Sequence, residues 1–193
     1  MPLSAIRLAQ PADAAVMQAI YAPIVATTPI SFELVPPTIE EMRQRLAKIQ
    51  QQFPWLVRVV DDVVIGYAYA SAHRERAAYQ WAADVSVYVH DQWRGQGTGR
   101  TLYRALFALL RAQGYLHVYA GIALPNAGSV ALHEKMGMVP VGSYRQVGFK
   151  LGAWHDVGWW QGQLGPLPPA PTSPTPIGAL MVTGMGDEIL TQL

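Results

Sequence analysis

The sequence predicts one layered α/β domain, a mixed sheet flanked by helices, and three observations predict it. Apolar residues recur with a period of two in some segments and about 3.6 in others, which orders the elements βααβββαβαββ. Hydrophobic residues make up 51% of the 193 and charged residues 14%, enough to bury one core and too apolar for a wholly disordered chain. A glycine-spaced turn, Gly95-Gln96-Gly97-Thr98-Gly99, joins a strand to a helix.

The elements follow in order. Ala5 to Leu8 makes a short strand; Pro11 suits a first helical turn, with Val16, Ile20 and Ile24 on one face. Thr27 to Pro37 holds three prolines and reads as a loop, after which Thr38 and Glu41 form a capping box for a helix that buries Met42, Leu46 and Ile49. Phe53 to Val60 and Val63 to Ala70 flank Asp61-Asp62 as an antiparallel hairpin, although the turn lacks glycine. Trp81 to Val89 is the next strand. Thr98 to Gln113 carries Leu102, Leu106, Leu109 and Leu110 at helical spacing and stops at Gly114; Tyr115 to Ile122 returns as a strand. A helix over Asn126 to Met136 ends at Gly137, and strands follow at Met138 to Phe149 and His155 to Leu164. From Gly165 to Pro176 six of twelve residues are proline, a composition that favours extended chain and builds no core. The domain is therefore expected over 1–164 with a tail over 165–193, whose apolar end (Leu180, Met181, Val182, Ile189, Leu190) either docks or stays disordered.

Composition also excludes functions. Fourteen Lys and Arg against thirteen Asp and Glu leave a charge of +1 with no basic run, which argues against nucleic-acid binding. Without cysteine there is no disulfide, thiolate nucleophile or Cys-ligated metal, and no cluster has metal-ligand spacing, so no metal is expected. The first residues do not read as a signal peptide, and no apolar stretch approaches the roughly 20 residues that span a bilayer, so no membrane partner and a cytoplasmic location are expected.

The glycine turn is the most informative segment. Glycines at 95, 97 and 99 let backbone N–H groups converge at a helix N-terminus, a ready site for a pyrophosphate. A Walker loop needs glycine at 94 and lysine at 100, where Arg94 and Arg100 stand, and a dinucleotide fold places its turn after the first strand. Arg94-Gly-Gln-Gly97-Thr-Gly99 instead resembles the acyl-coenzyme A loop of the GCN5-related N-acetyltransferases (GNAT), whose element order is also similar, over roughly residues 3–164. Ser31-Phe32-Glu33, Phe53-Pro54-Trp55-Leu56-Val57, Ala78-Tyr79-Gln80-Trp81, Ser86-Val87-Tyr88-Val89, Gly121-Ile122-Ala123-Leu124-Pro125-Asn126, Ser129-Val130-Ala131-Leu132-His133-Glu134 and Gly152-Ala153-Trp154-His155-Asp156-Val157 resemble the branch containing phosphinothricin and methionine sulfoximine acetyltransferases. The proline-rich tail lies outside that pattern.

The resemblance implies a GNAT acyl-CoA N-acyltransferase fold and acetyl-CoA as co-substrate. Its binding would fall to Val87, Tyr88 and Val89 on the splayed strand, to Arg94, Gly95, Gly97, Thr98, Gly99 and Arg100 in the loop, and to Asn126 and Ser129, with Asn126 alternatively a plain helix cap. Strand alternation puts Asp84 with Ala82, Ser86 and Tyr88 on one face, an acid on a mostly buried strand. It is either the base that deprotonates the amine or a carboxylate paired with an arginine or a backbone group. The family pattern has glutamate there; the shorter aspartate points to a relay through water. His133 stands where many related enzymes carry a thiolate-protonating tyrosine, and is either that acid or a hydrogen-bonded helical histidine. Arg74 and Arg76 either fork a substrate carboxylate or are solvated, Arg76 matching the family position better; Phe32, Tyr79, Trp81 and Trp154 either wall the amino acid or belong to the core.

The function these readings imply is direct transfer of acetyl to the α-amine of a small amino acid resembling phosphinothricin, methionine sulfoximine or methionine sulfone. The alternatives are another amine, such as a protein N-terminus or polyamine, and a non-catalytic acyl-CoA-binding protein. A homodimer is expected from family habit and from the apolar surface of Trp154, Trp159 and Trp160.

Overall fold

The computed structural model describes residues 4–192. Among them, seven strands form one sheet in the order β1-β2-β3-β4-β5-β7-β6. These are β1 (Ser4–Leu8), β2 (Trp55–Val60), β3 (Val63–Ala72), β4 (Ala82–Val89), β5 (His117–Leu124), β6 (Val139–Lys150) and β7 (Ala153–Gln163). Neighbours run antiparallel except β4 and β5, which are parallel and joined through a helix. The helices are α1 (Ala14–Thr27), α2 (Ile39–Ile49), α3 (Thr98–Gln113), α4 (Ala127–Lys135), α5 (Ile177–Val182) and α6 (Met185–Thr191). No helix among the described residues is long and apolar enough to cross a membrane.

Local chemistry explains the element ends. The β2–β3 turn closes with Val60 opposite Val63, and its two central residues, Asp61 and Asp62, hold φ of 47° and 66°. A two-residue turn of this hand needs two left-handed residues, and aspartate tolerates that conformation, so glycine is dispensable. At the start of α2, Thr38 Oγ1 accepts from the Glu41 N–H at 3.1 Å while Glu41 accepts from the Thr38 N–H at 2.7 Å, the reciprocal box expected. The buried stripe of α1 is Met17, Ile20, Tyr21 and Ile24; Val16, expected within it, is only half-buried.

Both faces of the sheet are covered at β2, which is why that strand reads as a continuous apolar run rather than an alternating one. Trp55 and Val57 pack under α1 and α2 with Met17, Met42, Leu46 and Tyr67. Leu56, on the other face, joins Ala68, Ala83 and Val85 beneath Leu102, Leu106, Leu109 and Leu110 of α3. Ile177 and Leu180 of α5 lie in this same core.

The tail therefore docks along α3 rather than hanging free. Its extended stretch is held through backbone groups that a proline-rich chain still offers: Trp81 Nε1 donates to the Thr172 carbonyl at 2.7 Å, and buried Gln113 donates to the Thr175 carbonyl at 2.7 Å and to the Gln52 carbonyl at 2.8 Å. Trp81 is thus engaged by the tail. The three late tryptophans also separate: Trp160 is buried under the α3–α5 core, Trp159 is half-buried, and only Trp154, beyond the covered part of the sheet, is exposed. Because Leu180 is enclosed, Leu180→Ala should destabilise by about 2–5 kcal/mol in urea unfolding, as truncation of a core leucine does. A change within about 0.5 kcal/mol, as at an ordinary surface position, would show that the tail lies outside the cooperative core.

Candidate active site

β4 keeps its ladder to β3 from Ala83 to Val89. To β5 it is paired at three rungs only, Ala82–His117, Ala83–Val118 and Asp84–Tyr119, while the other edge of β5 stays paired with β7 as far as Leu124 opposite Asp156. Past Asp84 the two strands part, and the β5-facing backbone groups of β4 lose their strand partner. A cleft of about 570 Å³ opens beside that gap. It is lined by every residue the sequence assigned to the cofactor: Val87, Tyr88, Val89, Arg94, Gly95, Gly97, Thr98, Gly99, Arg100, Asn126 and Ser129.

The cleft suits a diphosphate and an extended amide arm. Gly97 is the N-cap of α3 with φ 81°, Gly95 has φ 72°, and a Cβ at either would meet no atom within 4 Å. The glycines are thus required by backbone conformation, and the space before them is open for a ligand held by N–H groups at the positive end of α3. Arg100 and Lys135 add cationic charge to the same wall, while Arg94 is tied to the Val89 carbonyl at 3.2 Å and to Asp91 at 2.8 Å. Asn126 Oδ1 caps α4 by accepting from the Ser129 N–H at 3.1 Å, so the capping reading holds while the residue also faces the cleft.

Asp84 stands on the last β4–β5 rung, on the face away from α3. Its Oδ1 is 2.6 Å from His73 Nδ1. Burial pushes the Asp84 carboxyl above the usual aspartate value, opposed by the His73 hydrogen bond and the charge of Arg74. His73, a residue with no role in the sequence reading, stacks on Tyr119 at 4.2 Å and 15°. Arg74 donates to the His73 carbonyl at 2.7 Å and lies 5.7 Å over the Trp159 ring; Arg74 and Arg76 are both exposed. Tyr79 meets the His73 ring edge-on at 6.1 Å.

Phe32 is presented by a loop that the sequence alone did not anchor. Tyr21 shares a 2.7 Å hydrogen bond with Ser31 and donates to Glu33 at 2.9 Å; Arg45 grips Glu33 with two bonds of 2.7 and 2.8 Å. That fork holds the Glu33 carboxyl below its usual range. Buried Lys150 donates to the Ser31 carbonyl at 2.6 Å, across 119 positions of sequence. Phe32 then lies over Gly148 of β6, where any Cβ would run into its ring.

His133 is placed differently from its expected role. It is 4% exposed, accepts from the Tyr103 hydroxyl through Nε2 at 3.0 Å and donates from Nδ1 to the Ser129 carbonyl at 2.7 Å. Burial lowers its pKa, opposed by the bond to the Ser129 carbonyl, and it is not among the cleft-lining residues. The hydrogen-bonded alternative is the one the geometry matches. Among the described residues no group of three or more acidic or histidine side chains is arranged to hold a metal.

Comparison with known proteins agrees with this architecture. The profile of the acetyltransferase (GNAT) domain matches residues 6–159. Phosphinothricin N-acetyltransferase of Streptomyces viridochromogenes is 41% identical over 170 residues, covering 88% of this chain and 93% of that protein. The L-methionine sulfoximine/L-methionine sulfone acetyltransferase of Salmonella typhimurium is 33% identical over 160 residues, covering 82% and 94%. A crystal structure of the GNAT phosphinothricin acetyltransferase of Sinorhizobium meliloti in complex with AcCoA matches with a TM-score of 0.84 and 34% identity, covering 88% of this chain and 93% of that one. The profile, the relatives and the cofactor-bound structure span the parted strands, the glycine turn and α4 alike, and the chain belongs to the GNAT acetyltransferase family.

Proposed function

We propose that this enzyme transfers acetyl from acetyl-CoA directly to the α-amine of a small amino acid resembling phosphinothricin, methionine sulfoximine or methionine sulfone. The observation that carries the reading is the single gap between β4 and β5, which has an anion cradle at one end and the Asp84 carboxylate at the other. The relatives named for those substrates support the substrate class.

The chain's own contribution is positioning. The N–H groups at the start of α3 and the side chain of Arg100 hold the diphosphate. The unpaired strand edge of Val87 to Val89 takes the pantetheine amides in place of a neighbouring strand and leaves a backbone donor for the thioester oxygen. Asn126 and Ser129 close the far wall. At the Asp84 end of the gap an α-ammonium loses the proton it must shed before its nitrogen becomes nucleophilic. Arg74 is exposed like Arg76, but its place beside Asp84 and over Trp159 suits it better to meet the substrate carboxylate. Phe32 and Tyr79 wall the amino acid side chain. No acyl-enzyme is required.

We further propose a homodimer paired through β6. That edge strand exposes Val139, Val141, Tyr144, Val147 and Phe149, and Leu151 and Trp154 extend the apolar surface across its turn. A long apolar edge of this kind is ordinarily covered.

Coenzyme A release measured against a panel of amines tests the activity. Turnover is expected with the amino acids named above; turnover confined to peptide N-termini or polyamines would move the enzyme to those substrates, and coenzyme A binding without any turnover would mark a non-catalytic binder. Gly97→Val should raise the acetyl-CoA Km about tenfold or more while leaving the amine Km nearly unchanged, since a side chain strains the φ of 81° and fills the cradle. Normal acetyl-CoA binding by that variant would mean the loop holds something else. Arg74→Ala should raise the amino acid Km roughly ten- to a hundredfold, the loss of a charge-assisted pair, with little effect on acetyl-CoA. Equal Km values would leave Arg74 a surface cation. Light scattering at micromolar concentration should give twice the 21.1 kDa chain mass; a monomer would leave the β6 face uncovered.

A further inference from the structure

We propose that the group receiving the amine's proton is Nε2 of His73, and that Asp84 is its positioning partner. This rests on the acetyl-transfer reading above. An imidazole stands where the sequence suggested a relaying water: an aspartate in place of the family's glutamate falls short by about 1.5 Å, one carbon–carbon bond, and the ring of His73 extends the carboxylate's reach.

The geometry fixes the ring in a working orientation. His73 follows β3 directly, and the Ser71–Asp84 pairing of β3 with β4 brings it beside the carboxylate. The 2.6 Å contact joins Nδ1 to Asp84 Oδ1, and with an ionised carboxylate the proton of that bond sits on Nδ1. Nε2 is then the nitrogen with the free lone pair, and among the described residues it has no hydrogen-bond partner. Three aromatic rings hold the plane: Tyr119 of β5 stacked at 4.2 Å, Tyr79 edge-on at 6.1 Å and Trp159 of β7 edge-on at 6.0 Å. The ionisable groups facing the ring are Asp84, Tyr119 and Tyr79, with Arg74 beside Asp84. The dyad is not sealed: the His73 side chain keeps 12% of its surface and Asp84 30%, next to the point where β4 and β5 part.

The step balances as follows. The substrate ammonium gives one proton to Nε2, leaving an imidazolium paired with the Asp84 carboxylate. The freed nitrogen lone pair forms the C–N bond at the thioester carbonyl, the C–S bond breaks with its electron pair going to sulfur, and the second nitrogen proton ends on that sulfur as the thiol. The imidazolium then returns its proton to water.

The test uses whichever amine the enzyme turns over, so a wrong substrate class and a wrong base give different results. His73→Gln should lower kcat about 10²- to 10⁴-fold, with the acetyl-CoA Km nearly unchanged. Adding Asp84→Glu to His73→Gln should recover at least about tenfold, because the longer carboxylate reaches the amine without the ring, whereas a merely structural histidine gives no such rescue. Asp84→Asn in the His73→Gln background should add little, since the two act as one unit. His73→Gln within about threefold of the parent while Asp84→Asn is inactive would make Asp84 itself the base and overturn the proposal. Nitrogen-15 NMR of the unsubstituted enzyme reads the dyad without any variant: in the uncharged ring a protonated Nδ1 and a bare Nε2 are expected, and the opposite tautomer would overturn the proposal.

Discussion

The parting of β4 from β5 after the Asp84–Tyr119 rung is the constraint on which the remaining structure depends. A parallel pair buried in a sheet normally keeps its ladder, and giving it up leaves polar backbone groups that must find another partner. Two features make the gap sustainable. β4 keeps its rungs to β3 from Ala83 to Val89, and β5 is paired with β7 along all eight of its residues, so neither strand is left as a free edge on both sides. What remains is an open backbone edge lined by a helix N-terminus on one side and by the start of α4 on the other, a shape that an extended, phosphate-ended ligand completes.

The helices serve the gap in different ways. α3 packs Leu102, Leu106, Leu109 and Leu110 into the sheet so that its first turn is held rigidly at the mouth of the cleft. Gly99 allows the close approach of α3 and α4, since a Cβ there would come within 3.0 Å of Leu132. His133, bonded to Tyr103 of α3, pins the same two helices from behind. On the opposite face, α1 and α2 carry the Tyr21–Glu33–Arg45 network that holds Phe32 in place over β6. The tail braces α3 from outside through Ile177 and Leu180.

Features written in local pattern were legible in the sequence. The glycine turn, the capping box of α2 and the strand alternation around Asp84 each depend on residues within a few positions, and the resemblance in register added the cofactor wall. Features that depend on packing were not. The phase of His133 on α4 is hidden because that nine-residue helix has little apolar contrast between its faces, so nothing marks which side turns inward. Lys150 and Ser31 meet only because β6 crosses the loop, and no spacing encodes that. Trp154 and Trp160 share a strand face by parity, yet one is exposed and one buried, because the helices cover only part of the sheet. The His73–Asp84 contact needed the β3–β4 register, which fixes Ser71 opposite Asp84 and carries His73 past it.

Amide hydrogen exchange with and without acetyl-CoA tests the central claim most directly, because it reads the backbone groups that the gap leaves without a strand partner. Added acetyl-CoA should slow exchange at the β5-facing amides between Val85 and Val89 and at the first turn of α3, with the β3-facing amides of the same strand little changed. Uniform protection across the sheet, or none within Val85 to Val89, would contradict the view that the parted strands are the cofactor's place.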